Sequence, residues 1–329
     1  MNNDNSENLL VISEEVCRQV VSKGDAFTAV EQVFAAMARD DAYNFPVIRE
    51  AIGHKDALYG FKSGFDRVRG VLGLKAGGYW PHNMEHGLTN HQSAVFLFDP
   101  DSGRVKAIIG GNYLTAVRTA AASAVSIAHL ARKDAKTIGI IGAGHQSAFQ
   151  LHAATGLREF TKIVAWNRTP EPLSQLASVA EELGLPFQIL DREALCAQAD
   201  VIITMTAAHE ALIAQEWVKP GTHIACMGAD TKGKQETDPT LVAKARLFTD
   251  EIAQSISIGE CQHAFENGLI GANDITPLGA VINGDHSGRK SDDDITLFDG
   301  TGVGLQDLSV ANAAIELAIA EGTAQKVTL

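Results

Sequence analysis

Apolar residues recur at helical spacing over residues 13–39, with Val16, Val20, Phe27, Val30, Phe34 and Met37 on the repeat and Gly24 interrupting it. The pattern predicts two helices separated by a turn. Residues 45–109 change period: short apolar runs at 58–61, 71–75, 94–99 and 105–109 are punctuated by glycine and by an Asp99-Pro100-Asp101-Ser102-Gly103 turn. Such runs predict a mainly antiparallel sheet. An alanine-rich helix over 115–131 follows, and the polar Lys133-Asp134-Ala135-Lys136 suits a domain boundary.

Beyond that boundary strands alternate with helices. Strands are predicted at 137–141, 162–166, 201–204 and 223–227, with helices from about Gln146 and over 171–183. Repeated βαβ units specify a parallel, doubly wound sheet. A last amphipathic helix over 308–321 is expected to return to the first domain. The expected fold class is therefore α/β, with an α+β domain over 1–133, a doubly wound domain over 134–307 and the segment 308–329 rejoining the first. A chain of 329 residues exceeds one ordinary core, and two domains would leave a cleft.

Composition narrows the function. With 45% hydrophobic residues, 20% charged residues and 30 glycines, the profile is that of an α/β enzyme rather than a disordered or fibrous chain. The net charge of -13 opposes binding to nucleic acid or to anionic membrane surfaces, and no apolar run approaches the roughly 20 residues that span a bilayer. Any anionic ligand then needs local basic residues. Cys17, Cys196, Cys226 and Cys261 are widely spaced and form no C-x-x-C pair, which predicts reduced thiols in a cytoplasmic protein. The polar opening, residues 1–8, reads as a frayed terminus rather than a targeting segment.

The segment from Thr137 to Ser147 puts an apolar strand, the turn Gly142-Ala143-Gly144 and a helix start at His145-Gln146 in direct succession. Gly142 permits the turn, Gly144 lets backbone approach a pyrophosphate, and the free N–H groups of the helix start meet its negative charge. This is a Rossmann-type dinucleotide site, with Ser147 in the place of the third glycine. At the end of the next strand, Asn167-Arg168-Thr169 stands where an NAD site usually carries an acid for the ribose hydroxyl. Arg168 could accept a 2′-phosphate, so NAD(H) and NADP(H) both stay open.

Arg49, Lys75 and Arg118 lie beside glycines or turn residues in an otherwise acidic protein. Arginine offers a planar fork matched to a carboxylate, and lysine can also change protonation state. Read singly, each is a surface charge as readily as a ligand.

Four segments together resemble the ornithine cyclodeaminase/mu-crystallin family: Gly87-Leu88-Thr89-Asn90-His91-Gln92-Ser93 with Leu97-Phe98-Asp99-Pro100; Gly111-Asn112-Tyr113-Leu114-Thr115-Ala116-Val117-Arg118-Thr119-Ala120-Ala121; the Gly142 loop; and Ser291-Asp292-Asp293-Asp294-Ile295-Thr296-Leu297-Phe298-Asp299-Gly300-Thr301-Gly302. The resemblance implies a homodimer with a substrate and dimerisation domain and a Rossmann domain. It implies that Arg49, Lys75 and Arg118 bind a substrate carboxylate, with Lys75 beside the reacting carbon. The run from Gly228 to Glu236 resembles the cyclodeaminase and alanine dehydrogenase versions, which makes Asp230 the implied general acid/base. His91 joins the substrate set. The expected cofactor contacts are Arg118, Thr119, Gly142, Ala143, Gly144, His145, Gln146, Asn167, Arg168, Thr169, Thr206 and Gly302.

The activity so implied is NAD(P)H-dependent reduction of a small 2-imino acid to the amino acid, for example iminosuccinate to aspartate, or the reverse dehydrogenation, with NAD(H) favoured. A cyclodeaminase using catalytic NAD and a non-enzymatic mu-crystallin-like binding protein are the alternatives. No metal is expected. His82-Asn83-Met84-Glu85-His86 fits an H-x-x-E-H zinc pattern, but the surrounding Gly77, Gly78, Pro81 and Gly87 deny it the helical face that two zinc-binding histidines need.

Overall fold

The computed structural model describes residues 8–328, so the expectation of a frayed terminus over residues 1–8 lies outside the described residues except at Asn8, which begins the first strand instead of fraying. The chain forms two compact units, one of residues 1–118 with 303–329 and the other of residues 119–302.

The first unit is built on strands β1 (Asn8–Ile12), β2 (Ala42–Asn44), β3 (Ile48–Ala51), β4 (Leu58–Asp66), β5 (Val71–Tyr79), β6 (His91–Phe98) and β7 (Val105–Gly110), joined by a last strand at Gln325–Thr328. They form one sheet in the order last strand, β1, β7, β6, β5, β4, β2, with β3 also paired to β4. Every pairing except β1 with β7 is antiparallel. The two N-terminal helices, Glu14–Val20 and Lys23–Met37, start at serines. Ser13 accepts from Val16 N, and Ser22 forms a capping box with Asp25.

The C-terminal helix is Gly304–Ala320, one turn longer at its start than the apolar repeat predicts. The reason is a polar first turn, Gln306 and Asp307, that is fully buried and so interrupts the apolar pattern without interrupting the helix. Leu305 and Leu308 pack on the sheet over Gly64 and Gly73, where an added Cβ would come within 3.0 Å of each leucine.

The second unit holds β8 (Thr137–Ile141), β9 (Lys162–Trp166), β10 (Phe187–Ile189), β11 (Val201–Thr204), β12 (His209–Ile213), β13 (His223–Cys226), β14 (Gln235–Thr237), β15 (Arg246–Thr249), β16 (Ile275–Pro277) and β17 (Thr296–Asp299). Eight of them make a wholly parallel sheet in the order β10-β9-β8-β11-β13-β17-β15-β16, while β12 and β14 pair separately. All residues of β11, β13 and β17 are buried, as strands covered on both faces must be. The sheet grows one way from β8 through β9 to β10 and the other way from β11, so a topological switch point lies between β8 and β11. Among the described residues no helix is long and apolar enough to cross a membrane.

Candidate active site

In the second unit the chain leaves β8 through Gly142, whose φ of +101° is the left-handed region that favours glycine. A Cβ there would also stand 2.9 Å from Met205 O and from Thr206 Cγ2. Gly144 caps the helix His145–Ala154 without a side-chain bond, and a Cβ built on it meets nothing within 4 Å. A free backbone approach thus faces a helix N-terminus, which fits a diphosphate. Ser147 is buried and donates to Gly144 O at 2.6 Å, so it braces the turn where a third glycine is usual.

Asn167 fixes the turn from the neighbouring strand. Its Oδ1 accepts from Ala143 N at 3.1 Å, and its Nδ2 donates to Thr169 O at 2.7 Å. Arg168 and Thr169 are exposed at the tip. His145 stacks edge-on with Phe149, and Gly302, at φ +76°, donates its N–H to Asp250 Oδ2 at 2.8 Å. Thr206 donates from both N and Oγ1 to Glu236. Asp230, in the loop after β13, accepts from Lys234 Nζ at 2.6 Å and from Thr231 Oγ1 at 3.2 Å.

In the first unit, strand register collects the charges. Lys75 on β5 is directly opposite Lys62 on β4, and Gly77 is opposite Gly60, which is opposite Arg49 on β3. Directly paired residues and residues two apart share a face, so Arg49, Lys62 and Lys75 line one side of the sheet. Lys75 and Arg118 are buried, whereas Arg49 lies on an exposed strand. Lys75 Nζ donates to Asp307 Oδ1 at 2.9 Å and Arg118 Nε to the same oxygen at 3.0 Å, while Arg118 Nη1 donates to Gln306 Oε1 at 2.9 Å. Thr115 Oγ1 accepts from Lys75 at 3.4 Å and touches Ser93 Oγ at 3.5 Å, which in turn lies 3.2 Å from His91 Nε2.

These contacts set the protonation states. Burial pulls the Lys75 ammonium down to about 7, against the opposing pull of Asp307, with Arg118 and Lys62 adding to the drop. Burial and then the Lys75 charge push His91 down to about 3, so its ring is neutral near pH 7. Burial alone would raise Asp307, but Arg118 and Lys75 reverse it and hold the carboxyl below its ordinary value. The result is a buried lysine poised near neutrality beside the Arg118 guanidinium.

His82 lies outside this cluster, just before the 3₁₀ turn Asn83–His86, where its Nδ1 is 3.1 Å from Glu85 Oε1. Among the described residues no group of three or more His, Cys, Asp or Glu is placed to hold a metal ion.

Residues 6–321 match the ornithine cyclodeaminase/mu-crystallin family. The chain belongs to that family. It is 61% identical over 321 residues to the iminosuccinate reductase of Paracoccus denitrificans, covering 98% of this chain and 100% of that protein. The crystal structure of that reductase in complex with NAD+ superposes with a TM-score of 0.94 over 98% of this chain and 100% of that one. The alanine dehydrogenase of Archaeoglobus fulgidus is 31% identical over 97% of this chain and 98% of its own length. The Δ1-pyrroline-2-carboxylate reductase of Thermococcus litoralis, solved with NADH and L-proline, has a TM-score of 0.91 at 26% identity, covering 97% and 100%.

For this member of the ornithine cyclodeaminase/mu-crystallin family, sequence reading missed Lys62, Thr115, Gln306, Asp307 and Glu236. Asp307 had a readable signal: it falls with Val303, Val310, Ala311 and Ala314 on one helical stripe, a carboxylate on an otherwise apolar face. Lys62 had none, because only the β4–β5 register sets it opposite Lys75.

Proposed function

We propose that this protein is an NAD(H)-dependent reductase of a small 2-imino acid, with iminosuccinate as substrate and aspartate as product. The observation that carries this reading is full-length identity of 61% to an iminosuccinate reductase, in a chain whose buried Lys75 and Arg118 share one carboxylate. When bound, the nicotinamide supplies the hydride that reduces the C=N carbon. Arg118 and Arg49 bind the 2-carboxylate and fix the orientation of the substrate. Protonated Lys75 offsets the substrate's negative charge, and its pKa near 7 lets it exchange a proton at working pH. His91, held neutral, offers a hydrogen bond rather than a charge. Asp230 moves the proton at the substrate nitrogen, its carboxylate oriented by Lys234 and Thr231.

The assembly we propose is a homodimer. An archaeal alanine dehydrogenase neighbour is a dimer, and this chain exposes Tyr43, Phe45, Ile48, Ile52, Tyr59 and Tyr79 on or beside β2 to β5. Light scattering on the purified protein tests it, a monomer being the contrary outcome. A reducing cytoplasm suits four buried free thiols.

The deciding assay supplies oxaloacetate with ammonia, which form iminosuccinate in solution, and follows the nicotinamide absorbance. Net NADH consumption matched by aspartate supports the proposal. Ornithine converted to proline without net cofactor turnover, and no consumption with any imino acid, would identify a cyclodeaminase instead.

A further inference from the structure

Ligands of open α/β sheets bind beyond the carboxyl ends of the strands at the switch point, here between β8 and β11. One wall of that crevice is the Gly142 turn. The other is the chain leaving β11, Thr204-Met205-Thr206, and it stands so near Gly142 that any Cβ would collide with it.

That second wall is tied down by one side chain. Glu236, fully buried in β14, accepts from Thr204 Oγ1 at 2.6 Å, from Thr206 N at 2.6 Å, from Thr206 Oγ1 at 2.8 Å and from Gly228 N at 2.9 Å. The carboxylate therefore joins the ends of the adjacent strands β11 and β13. The backbone that carries it is clamped in turn by Glu260, also buried, which accepts from Glu236 N at 2.9 Å and from Thr237 N and Oγ1.

All four donors to Glu236 are neutral. Burial raises both acids above the ordinary carboxylate range, most of all Glu260, which also feels the charge of Glu236. Two buried acids without a cation are a local cost that functional sites carry and ordinary cores avoid.

We propose that Glu236 is a positioning residue for the dinucleotide, holding the Thr204-Met205-Thr206 wall against the Gly142 turn so that the crevice keeps the shape a diphosphate needs. The inference rests on the reading of the protein as NAD-dependent. Glu236 acts through Thr206 and Gly228 rather than on the ligand.

The test is the NADH dissociation constant of the full chain by fluorescence titration, with melting temperature measured alongside. Thr204 is fully buried, so it does not touch NADH itself, and its hydroxyl donates to Glu236. Thr204→Val deletes one of the four bonds at nearly constant shape and is expected to raise the constant about three- to tenfold, the net worth of one ordinary hydrogen bond. Thr204→Ser keeps the hydroxyl and should stay near wild type. Glu236→Gln, which turns an NH2 toward two donors, should weaken NADH more than Thr204→Val, with a smaller change in the imino-acid KM at saturating NADH.

A Thr204→Val protein that binds NADH within twofold of wild type, whatever its melting temperature, overturns the proposal. So does a Thr204→Ser protein as weak as the valine variant, or an equal loss in NADH affinity and in imino-acid KM. Wild-type protein that binds no NADH would sink the functional reading itself, a result separable from failure of the brace.

Discussion

Asp307 and Glu236 are both buried carboxylates, one in each unit, and burial raises both, yet their net shifts run in opposite directions. Burial raises Glu236, and its four hydrogen bonds, all from neutral donors, offset that only in part. Asp307 is lowered, because Lys75 and Arg118 both bond its Oδ1, although its Oδ2 is buried with no hydrogen-bond partner among the described residues. Partner charge, not bond count, decides the sign. The contrast also separates two proposed jobs: charge held near the pKa a reaction needs at Asp307, and backbone held in place at Glu236.

The strongest way to break the comparison is to remove its cation. Lys75→Met should lower kcat/KM for imine reduction by roughly 10³-fold, about 4 kcal/mol, the range of a lost general acid with its charge. Steady-state kinetics checks this, and activity within tenfold of wild type would remove Lys75 from the chemistry. Since the Lys75 ammonium is pulled down to about 7, wild-type kcat/KM should fall as pH rises above about 7, where the protonated form is lost. A flat profile from pH 6 to 9 contradicts the assignment.

Removing the anion acts on stability. Asp307→Ala leaves Lys75 and Arg118 buried without their shared counter-charge, which costs about 3 kcal/mol or more. Urea unfolding measures it, and a loss below about 1 kcal/mol would mean that water or rearrangement already shields the pair.

Acid titration sharpens the contrast in sign. The folded pKa of Asp307 is depressed, so its contribution is present above the unfolded value of about 3.9 and lost as pH falls through the folded one. Glu260 is raised, so its contribution is present below about 4.3 and lost as pH rises through its folded pKa. Glu260→Gln should therefore gain stability relative to wild type between about pH 5 and pH 8, seen as a shift in urea midpoint. A constant difference would show that Glu260 ionises normally.

The two clusters also differ in how far they could be read from sequence. The Gly142-Ala143-Gly144 turn and its flanking strand and helix are contiguous, so local spacing was enough for both fold class and cofactor class. Lys75, Arg118 and Asp307 are far apart along the chain and meet only through strand register and the returning helix. The basic members were found by residue type and family resemblance, while their acidic partner sat just before the expected helix start, in a first turn whose polarity hid it. Glu236 lay within a segment already singled out for Asp230, but nothing local shows that its carboxylate turns toward β11.

The smallest effect concerns a charge of the opposite setting. Arg168 is exposed at the tip of the Asn167-Arg168-Thr169 turn, where solvent screens it, unlike the buried pair on Asp307. A guanidinium there can favour a 2′-phosphate but contributes little to a ribose that lacks one. Arg168→Ala should therefore raise the ratio of the NADPH to NADH dissociation constants by about fivefold, close to 1 kcal/mol, and the increase should shrink as salt is added. Titration of both cofactors at low and high ionic strength checks it. An unchanged ratio would mean that NAD preference is set by Asn167, whose amide binds Ala143 N and Thr169 O and so shapes the ribose end of the turn without any charge.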